Sequence, residues 1–254
     1  MEIYYEKYGK GKDLIFLHGM GLNGTIFNNI IKKLKGYRCF SLDLRGHGNS
    51  GNINEVNIDE FLDDIKLIIK KEKIKNPSLI GHSFGSFIAL KFAERYGNKI
   101  DKIIAINEVH KLNILTIKKF FLVFGLTCFE ILRVYKKLRG KKEKRINYSC
   151  EKDVTKSDLH GFTLISHMAT HYGTKHKKML MNCTEIMEKT KINLDKIKNK
   201  VIIVNGIDDE IIAQGSYRDL DKKLKNSKMI KIKSGHFLPV TNSRDIVKII
   251  KENI

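Results

Sequence analysis

The stretch from Pro77 to Ala93, Pro-Ser-Leu-Ile-Gly-His-Ser-Phe-Gly-Ser-Phe-Ile-Ala-Leu-Lys-Phe-Ala, restricts the fold more than any other part of the chain. A short apolar run (Leu79, Ile80) stops at Gly81. Gly81-His82-Ser83-Phe84-Gly85 follows, and apolar residues then recur at helical spacing at Phe87, Ile88, Leu90, Phe92 and Ala93. The order reads as strand, tight turn and helix, with Ser83 at the apex. Glycines at 81 and 85 fit such a turn, because strand and helix backbones pass too closely there for a Cβ. A turn of this kind lifts a serine hydroxyl clear of the sheet.

The rest of the chain repeats that alternation. A tyrosine-rich segment (residues 2–8) and the turn cluster Gly9 to Asp13 suggest a hairpin leading into Leu14-Ile15-Phe16-Leu17, an unbroken apolar run of the kind buried on both faces of a sheet. A helix is expected near Ile26–Lys35, a strand at Tyr37–Leu42, a helix at Ile58–Lys71 and a buried strand at Ile100–Ile106. The pattern resumes with a strand at Val201–Val204, a helix across Tyr217–Leu224, a strand at Met229–Ile232 and a closing helix at Arg244–Glu252. Strands alternating with helices imply an α/β fold: a mostly parallel central sheet with helices on both faces.

Between the two halves the pattern breaks. Residues from about 108 to 195 carry no clear buried strand, a length too great for an unstructured loop in a compact domain, so an inserted helical unit is expected. The division is residues 1–108 and 197–254 as core and 109–196 as insertion. The insertion opens with the apolar Ile114–Tyr135 and continues with a basic run, Lys136 to Arg145.

Composition narrows the class. With 254 residues, 42% hydrophobic and 30% charged, the chain can bury a substantial core. No run of about 18 apolar residues suggests a membrane span, and the first residues lack a secretory layout. Cys39, Cys128, Cys150 and Cys183 are widely spaced, which fits reduced thiols and a cytoplasmic protein. In that compartment the sequons at Asn23, Asn147 and Asn182 carry no meaning. The net charge of +20 comes mostly from lysines scattered through the chain, a solvated surface rather than a nucleic-acid footprint. His167, His171 and His176 have helical spacing but lack the glutamate of a zinc-protease motif, so no metal site is expected.

Four loop motifs, each following a strand, together resemble the α/β-hydrolase superfamily: His18-Gly19-Met20-Gly21, Asp43-Leu44-Arg45-Gly46-His47-Gly48-Asn49-Ser50, Gly81-His82-Ser83-Phe84-Gly85, and Gly206-x-x-Asp209 with Gly235-His236. The likeness covers roughly residues 1–108 and 197–254. It implies Ser83 as nucleophile, His236 as base and Asp209 as the orienting acid, with Asp208 as the alternative acid and Glu108 as a more remote one. It also implies backbone amides of Met20 and Phe84 as an oxyanion hole. Serine at 83 argues against the dehalogenase and epoxide-hydrolase branches, which place aspartate there. The 43–50 loop is expected to shape the ground beneath the site, and His82 to be structural.

On that resemblance the insertion corresponds to a helical cap, with its aromatic stretch over Ser83. The implied activity is cofactor-free hydrolysis of a small-molecule carboxylic ester or thioester through an acyl-enzyme. Acyl transfer, carbon–carbon bond hydrolysis and a non-catalytic ligand receptor with a hydrolase shell are the rivals. The segment His18–Asn23 is also similar to its counterpart in carboxylesterases acting on acyl-carrier methyl esters, so a basic cap meeting an acidic carrier is one partner expectation. A second is an anionic membrane surface, suggested by Lys118, Lys119, Arg133 and Lys136 flanking the apolar stretch.

Overall fold

The unbroken apolar runs of the sequence lie at the centre of a sheet. The computed structural model describes residues 2–51, 56–109, 179–209, 211–212 and 214–254. Among these the strands are β1 (Tyr5–Gly9), β2 (Lys12–Leu17), β3 (Tyr37–Leu42), β4 (Ser78–His82), β5 (Lys102–Ile106), β6 (Lys200–Gly206) and β7 (Ser227–Ile232). They form one seven-stranded sheet in the order β1-β3-β2-β4-β5-β6-β7. All neighbours are parallel except β1, which runs antiparallel to β3.

The helices are α1 (Asn28–Ile31), α2 (Ile58–Lys71), α3 (Phe84–Tyr96), α4 (Gln214–Lys223), α5 (Leu238–Thr241) and α6 (Ser243–Asn253), and residues 179–189 are also helical. Successive strand residues point to opposite faces, so each central strand feeds two cores. In β5, Ile103 and Ala105 join a cluster with Phe61, Ile65, Phe87 and Ile88 of α2 and α3. Ile104 and Ile106 join the other, with Ile26, Ile30, Ile246 and Ile250. Burial on both faces is why these strands carry no polar alternation.

Two expectations are corrected. The hairpin of residues 2–8 with Leu14–Leu17 does not form: β3 runs between β1 and β2. A Cβ on Gly9 would lie 2.3 Å from the Tyr37 carbonyl oxygen, and one on Gly11 2.0 Å from that of Gly36, so the turn closes on the start of β3. The all-apolar β2 takes parallel partners on both sides, and the half-exposed β1 goes to the edge. The helix expected near Ile26–Lys35 is shorter, a 3-10 turn (Gly24–Phe27) followed by α1. The Lys33 and Leu34 amides then bond three residues back, to Ile30 and Ile31, which tightens and ends it.

Most of the 109–196 insertion lies outside the described residues, including Ile114–Tyr135, the basic run, Cys128, Cys150, His167, His171 and His176. Its described part comprises the 179–189 helix and the turn Leu194–Lys196. Cys39 and Cys183 are free and buried, and burial pushes the Cys39 thiol up to about 12. Among the described residues no helix is long and apolar enough to cross a membrane.

Candidate active site

In a parallel sheet the carboxyl ends of the strands point one way, and the loops leaving β2, β3, β4, β5, β6 and β7 gather along one edge. Ser83 leaves β4 there. Its backbone has φ 51° and ψ −116°, a conformation an L-residue rarely adopts. Neighbours hold it: the Ser83 amide donates to the Ile106 carbonyl at 2.9 Å, and the Ser83 carbonyl accepts from the Ser86 and Phe87 amides. The flanking glycines are sterically required. A Cβ on Gly81 would lie 2.5 Å from Ser86 Cα, and one on Gly85 2.0 Å from the Leu17 carbonyl oxygen.

The structure joins two of the predicted residues. His236 Nδ1 lies 2.9 Å from Asp209 Oδ2. An ionised carboxylate only accepts, so the ring proton sits on Nδ1, and in the neutral ring Nε2 presents its lone pair. Asp209 is further fixed by the amides of Ile211 and Ile212 on Oδ1, at 2.8 and 2.9 Å, and by the Tyr217 hydroxyl on Oδ2 at 2.8 Å. Burial pushes its carboxyl up. The charge on His236 and the hydrogen bonds from His236, Ile212 and Tyr217 outweigh that and hold it below the usual carboxylate range. Asp208 makes no such contact: it is exposed, and its amide donates to the Ser234 carbonyl.

Ser83 and His236 share no hydrogen bond in this structure. His236 reaches the elbow at His82, the residue before Ser83, whose ring centroid is 5.0 Å from that of His236. His82 Nε2 donates to the His236 carbonyl at 2.8 Å. Burial first, then the charge on His236, pull the His82 ring down to about 3, so it is neutral. The structural role expected of His82 is thus a tie from the elbow to the His236 backbone.

The remaining predicted positions surround the elbow. Among the described residues neither the Met20 nor the Phe84 amide is taken up by a hydrogen bond, and Phe84 opens α3, where the positive end of the helix lies. Beside Met20, His18 Nε2 accepts from the Leu44 amide at 2.9 Å and its Nδ1 proton goes to the Gly19 carbonyl, tying this loop to the next. Asp43 turns inward and accepts from the Gly24 and Asn49 amides, both at 2.8 Å. The 43–50 loop is built around that buried carboxylate. The 179–189 helix reaches the same place, with Thr184 Oγ1 3.8 Å from Met20 Sδ.

Two residues that hold the Asp209–His236 pair, Tyr217 and Asn107, escape the motif reading. Tyr217 lies in α4, where it reads as one more apolar helix position; a phenol so fully buried needs a partner, and that requirement is its signal. Burial, then the charge and hydrogen bond of Asp209, raise its hydroxyl far above the ordinary range, which keeps it a donor. Asn107, just after β5, accepts at Oδ1 from the Gly206 amide (2.9 Å) and donates through Nδ2 to the carbonyls of Gly235 (3.1 Å) and His236 (2.8 Å). Two polar residues, Asn107-Glu108, ending an apolar strand were the available hint. Glu108 is buried, and its charge is felt at the Tyr217 phenol.

Known proteins agree with this architecture. Residues 13–125 match the family described as the alpha/beta hydrolase fold. The chain is 26% identical over 243 residues to the AB hydrolase superfamily protein YisY of Bacillus subtilis (strain 168), covering 92% of this chain and 88% of that one. It is 30% identical over 105 residues to a pimeloyl-[acyl-carrier protein] methyl ester esterase of Aliivibrio fischeri (strain MJ11), a match spanning 41% of this chain and only 39% of that protein. The enol-lactonase of Burkholderia xenovorans LB400 superposes with a TM-score of 0.75 at 14% identity, covering 98% of this chain and 95% of that one. The sheet order, the match over residues 13–125 and the superposition on solved structures together show the α/β-hydrolase fold.

Proposed function

We propose that this chain is a serine hydrolase cleaving carboxylic esters or thioesters through an acyl-enzyme. The observation that carries the reading is the fixed pair of Asp209 and His236, tied through His82 to a serine held in an elbow at φ 51°. A serine hydroxyl is a weak nucleophile at neutral pH unless a base takes its proton. His236, proton on Nδ1 and lone pair on Nε2, is that base, and Asp209 holds its tautomer and stabilises the imidazolium that forms. Ser83 Oγ adds to the substrate carbonyl carbon, and the amides of Met20 and Phe84 receive the negative oxygen. His236 then gives its proton to the leaving alcohol or thiol, and a water deprotonated by His236 releases the acid. The cycle consumes one water per ester cleaved and returns Ser83 and His236 to their starting protonation states.

Residues 109–196 act as the cap in this reading. Their described helix meets the oxyanion loop at Met20 and sends Met179 and Cys183 into the core cluster of α2 and α3. The methyl ester named for the Aliivibrio relative falls within the substrate class proposed here.

A fluorophosphonate probe tests the reading directly. The adduct should map to Ser83 by peptide mass spectrometry, disappear in Ser83→Ala and form slowly in His236→Ala. An unlabelled Ser83 in the folded protein refutes the proposal.

A further inference from the structure

Asn107 sits where three loops meet. It follows β5 at φ 45°, a left-handed conformation that asparagine tolerates better than most residues. Its own amide donates to the Val204 carbonyl at 2.8 Å, and its side chain is fully buried. The carboxamide admits one orientation only. Its oxygen faces the Gly206 N–H and its nitrogen faces two carbonyls, so a flipped amide would oppose donor to donor and acceptor to acceptor.

One side chain therefore grips the loop that carries Asp209, at Gly206, and the loop that carries His236, at Gly235 and His236 itself. The two loops already touch backbone to backbone: a Cβ on Gly206 would lie 2.3 Å from the Ser234 carbonyl oxygen. The His236 carbonyl takes a second donor, His82 Nε2, from the residue preceding Ser83. The carbonyl of the proposed base is thus clamped at 2.8 Å from β5 and at 2.8 Å from β4.

We infer that Asn107, resting on the serine-hydrolase reading above, is a positioning residue: its carboxamide sets the height of the His236 backbone so that one ring serves both Asp209 and Ser83. It touches no reacting atom. Its effect passes through the His236 carbonyl and the Gly206 amide. Misplacement of a reacting group by about 1 Å costs on the order of 100-fold in rate, so losing the clamp should cost between about 10- and 100-fold.

The fold supplies its own control. Asn199, just before β6, donates through Nδ2 to the carbonyls of Gly97, Ile100 and Asp101 at 2.9 to 3.0 Å. It is a comparable knot at the opposite end of the sheet, where loss of hydrogen bonds lowers stability without reaching the site.

The experiment compares Asn107→Gly, which keeps the backbone conformation accessible, with Asn199→Ala. Readouts are the rate of fluorophosphonate labelling at Ser83, kcat and KM on p-nitrophenyl acetate, thermal unfolding, and the proton resonance of His236 Nδ1–H in its bond to Asp209. The expected result for Asn107→Gly is labelling and kcat lowered about 10- to 100-fold, KM little changed and the His236 resonance lost or moved. Asn199→Ala should melt lower yet react at the parent rate. If Asn107→Gly does not fold, Asn107→Asp keeps the volume and the Gly206 contact but turns an acceptor towards two carbonyls, and it should fall in the same direction. Parent-rate labelling by a folded Asn107 variant, or an equal loss in Asn199→Ala, overturns the inference. If the parent protein itself is not labelled, the hydrolase reading fails, and the His236 resonance alone then decides whether Asn107 holds the ring.

Discussion

His236 Nδ1 and Asp209 Oδ2 stand 2.9 Å apart, and the same carboxylate oxygen accepts the Tyr217 hydroxyl at 2.8 Å. With two amides on Oδ1, the carboxylate is surrounded by donors on both oxygens. Its orientation is therefore set before any substrate arrives, and with it the tautomer of the imidazole.

The two neighbouring aspartates should separate sharply. Asp209→Asn keeps the shape but offers the ring a group that does not stabilise the imidazolium, and kcat on p-nitrophenyl acetate should fall about 100- to 10,000-fold. Asp208→Asn, at an exposed position, should stay within twofold of the parent. Equal losses would remove Asp209 from the site.

Tyr217→Phe removes one of the four donors on Asp209 and leaves the rest. A hydrogen bond to a charged group contributes about 1.5–3 kcal/mol, and the other donors share part of that role. The expected outcome is a kcat lowered about 3- to 10-fold with KM unchanged, together with about 1 kcal/mol less stability in urea unfolding. A full loss of activity would mean that the phenol does more than hold the carboxylate.

His82 predicts a pH dependence of stability. Its ring is pulled down to about 3 by burial and by the charge on His236. As pH falls below the ordinary histidine range the unfolded chain takes up a proton there and the native protein does not. A lowered folded value therefore means stability present above that range and lost as pH drops towards 3. Between pH 7.5 and 5 the parent should lose about 2 kcal/mol more than His82→Gln in urea titrations. Parallel losses in the two proteins would contradict a neutral buried ring.

Glycine substitutions test the elbow. Gly85→Ala drives a methyl group into the Leu17 carbonyl, where a Cβ would lie 2.0 Å from the oxygen, and the protein should lose several kcal/mol or fail to fold. Gly215→Ala, in α4 with nothing within 4 Å of the added carbon, should stabilise the fold slightly, by up to about 1 kcal/mol, and melt higher. Circular dichroism melts of the two variants suffice.

What could be read from the sequence follows a physical divide. Apolar runs, helical spacing and steric glycines are local, so β3 and α2 fall at their expected residues, and the Ser83 turn sits between its strand and helix as expected. Pairing is not local. The Gly9–Asp13 cluster reads as a hairpin, but the turn is settled by Gly36 and Tyr37, which no nearby residue announces. The same holds for Tyr217 and Asn107. Each looks ordinary in its own segment, and each gains its meaning from an atom 8 to 129 residues away. The family resemblance puts Asp209 ahead of Asp208; the hydrogen bond to His236 adds the geometric reason.

The backbone contact between Gly206 and the Ser234 carbonyl has a consequence for how reactivity arises during folding. Ser83 and its neighbouring amides belong to strands near the middle of the sheet, whereas the proposed base is delivered by the loop beyond β7, the outermost strand. A partly assembled sheet would present a serine with nothing to take its proton. Chemical competence is then a property of the completed sheet, and the appearance of probe labelling during refolding should report docking of the last strand.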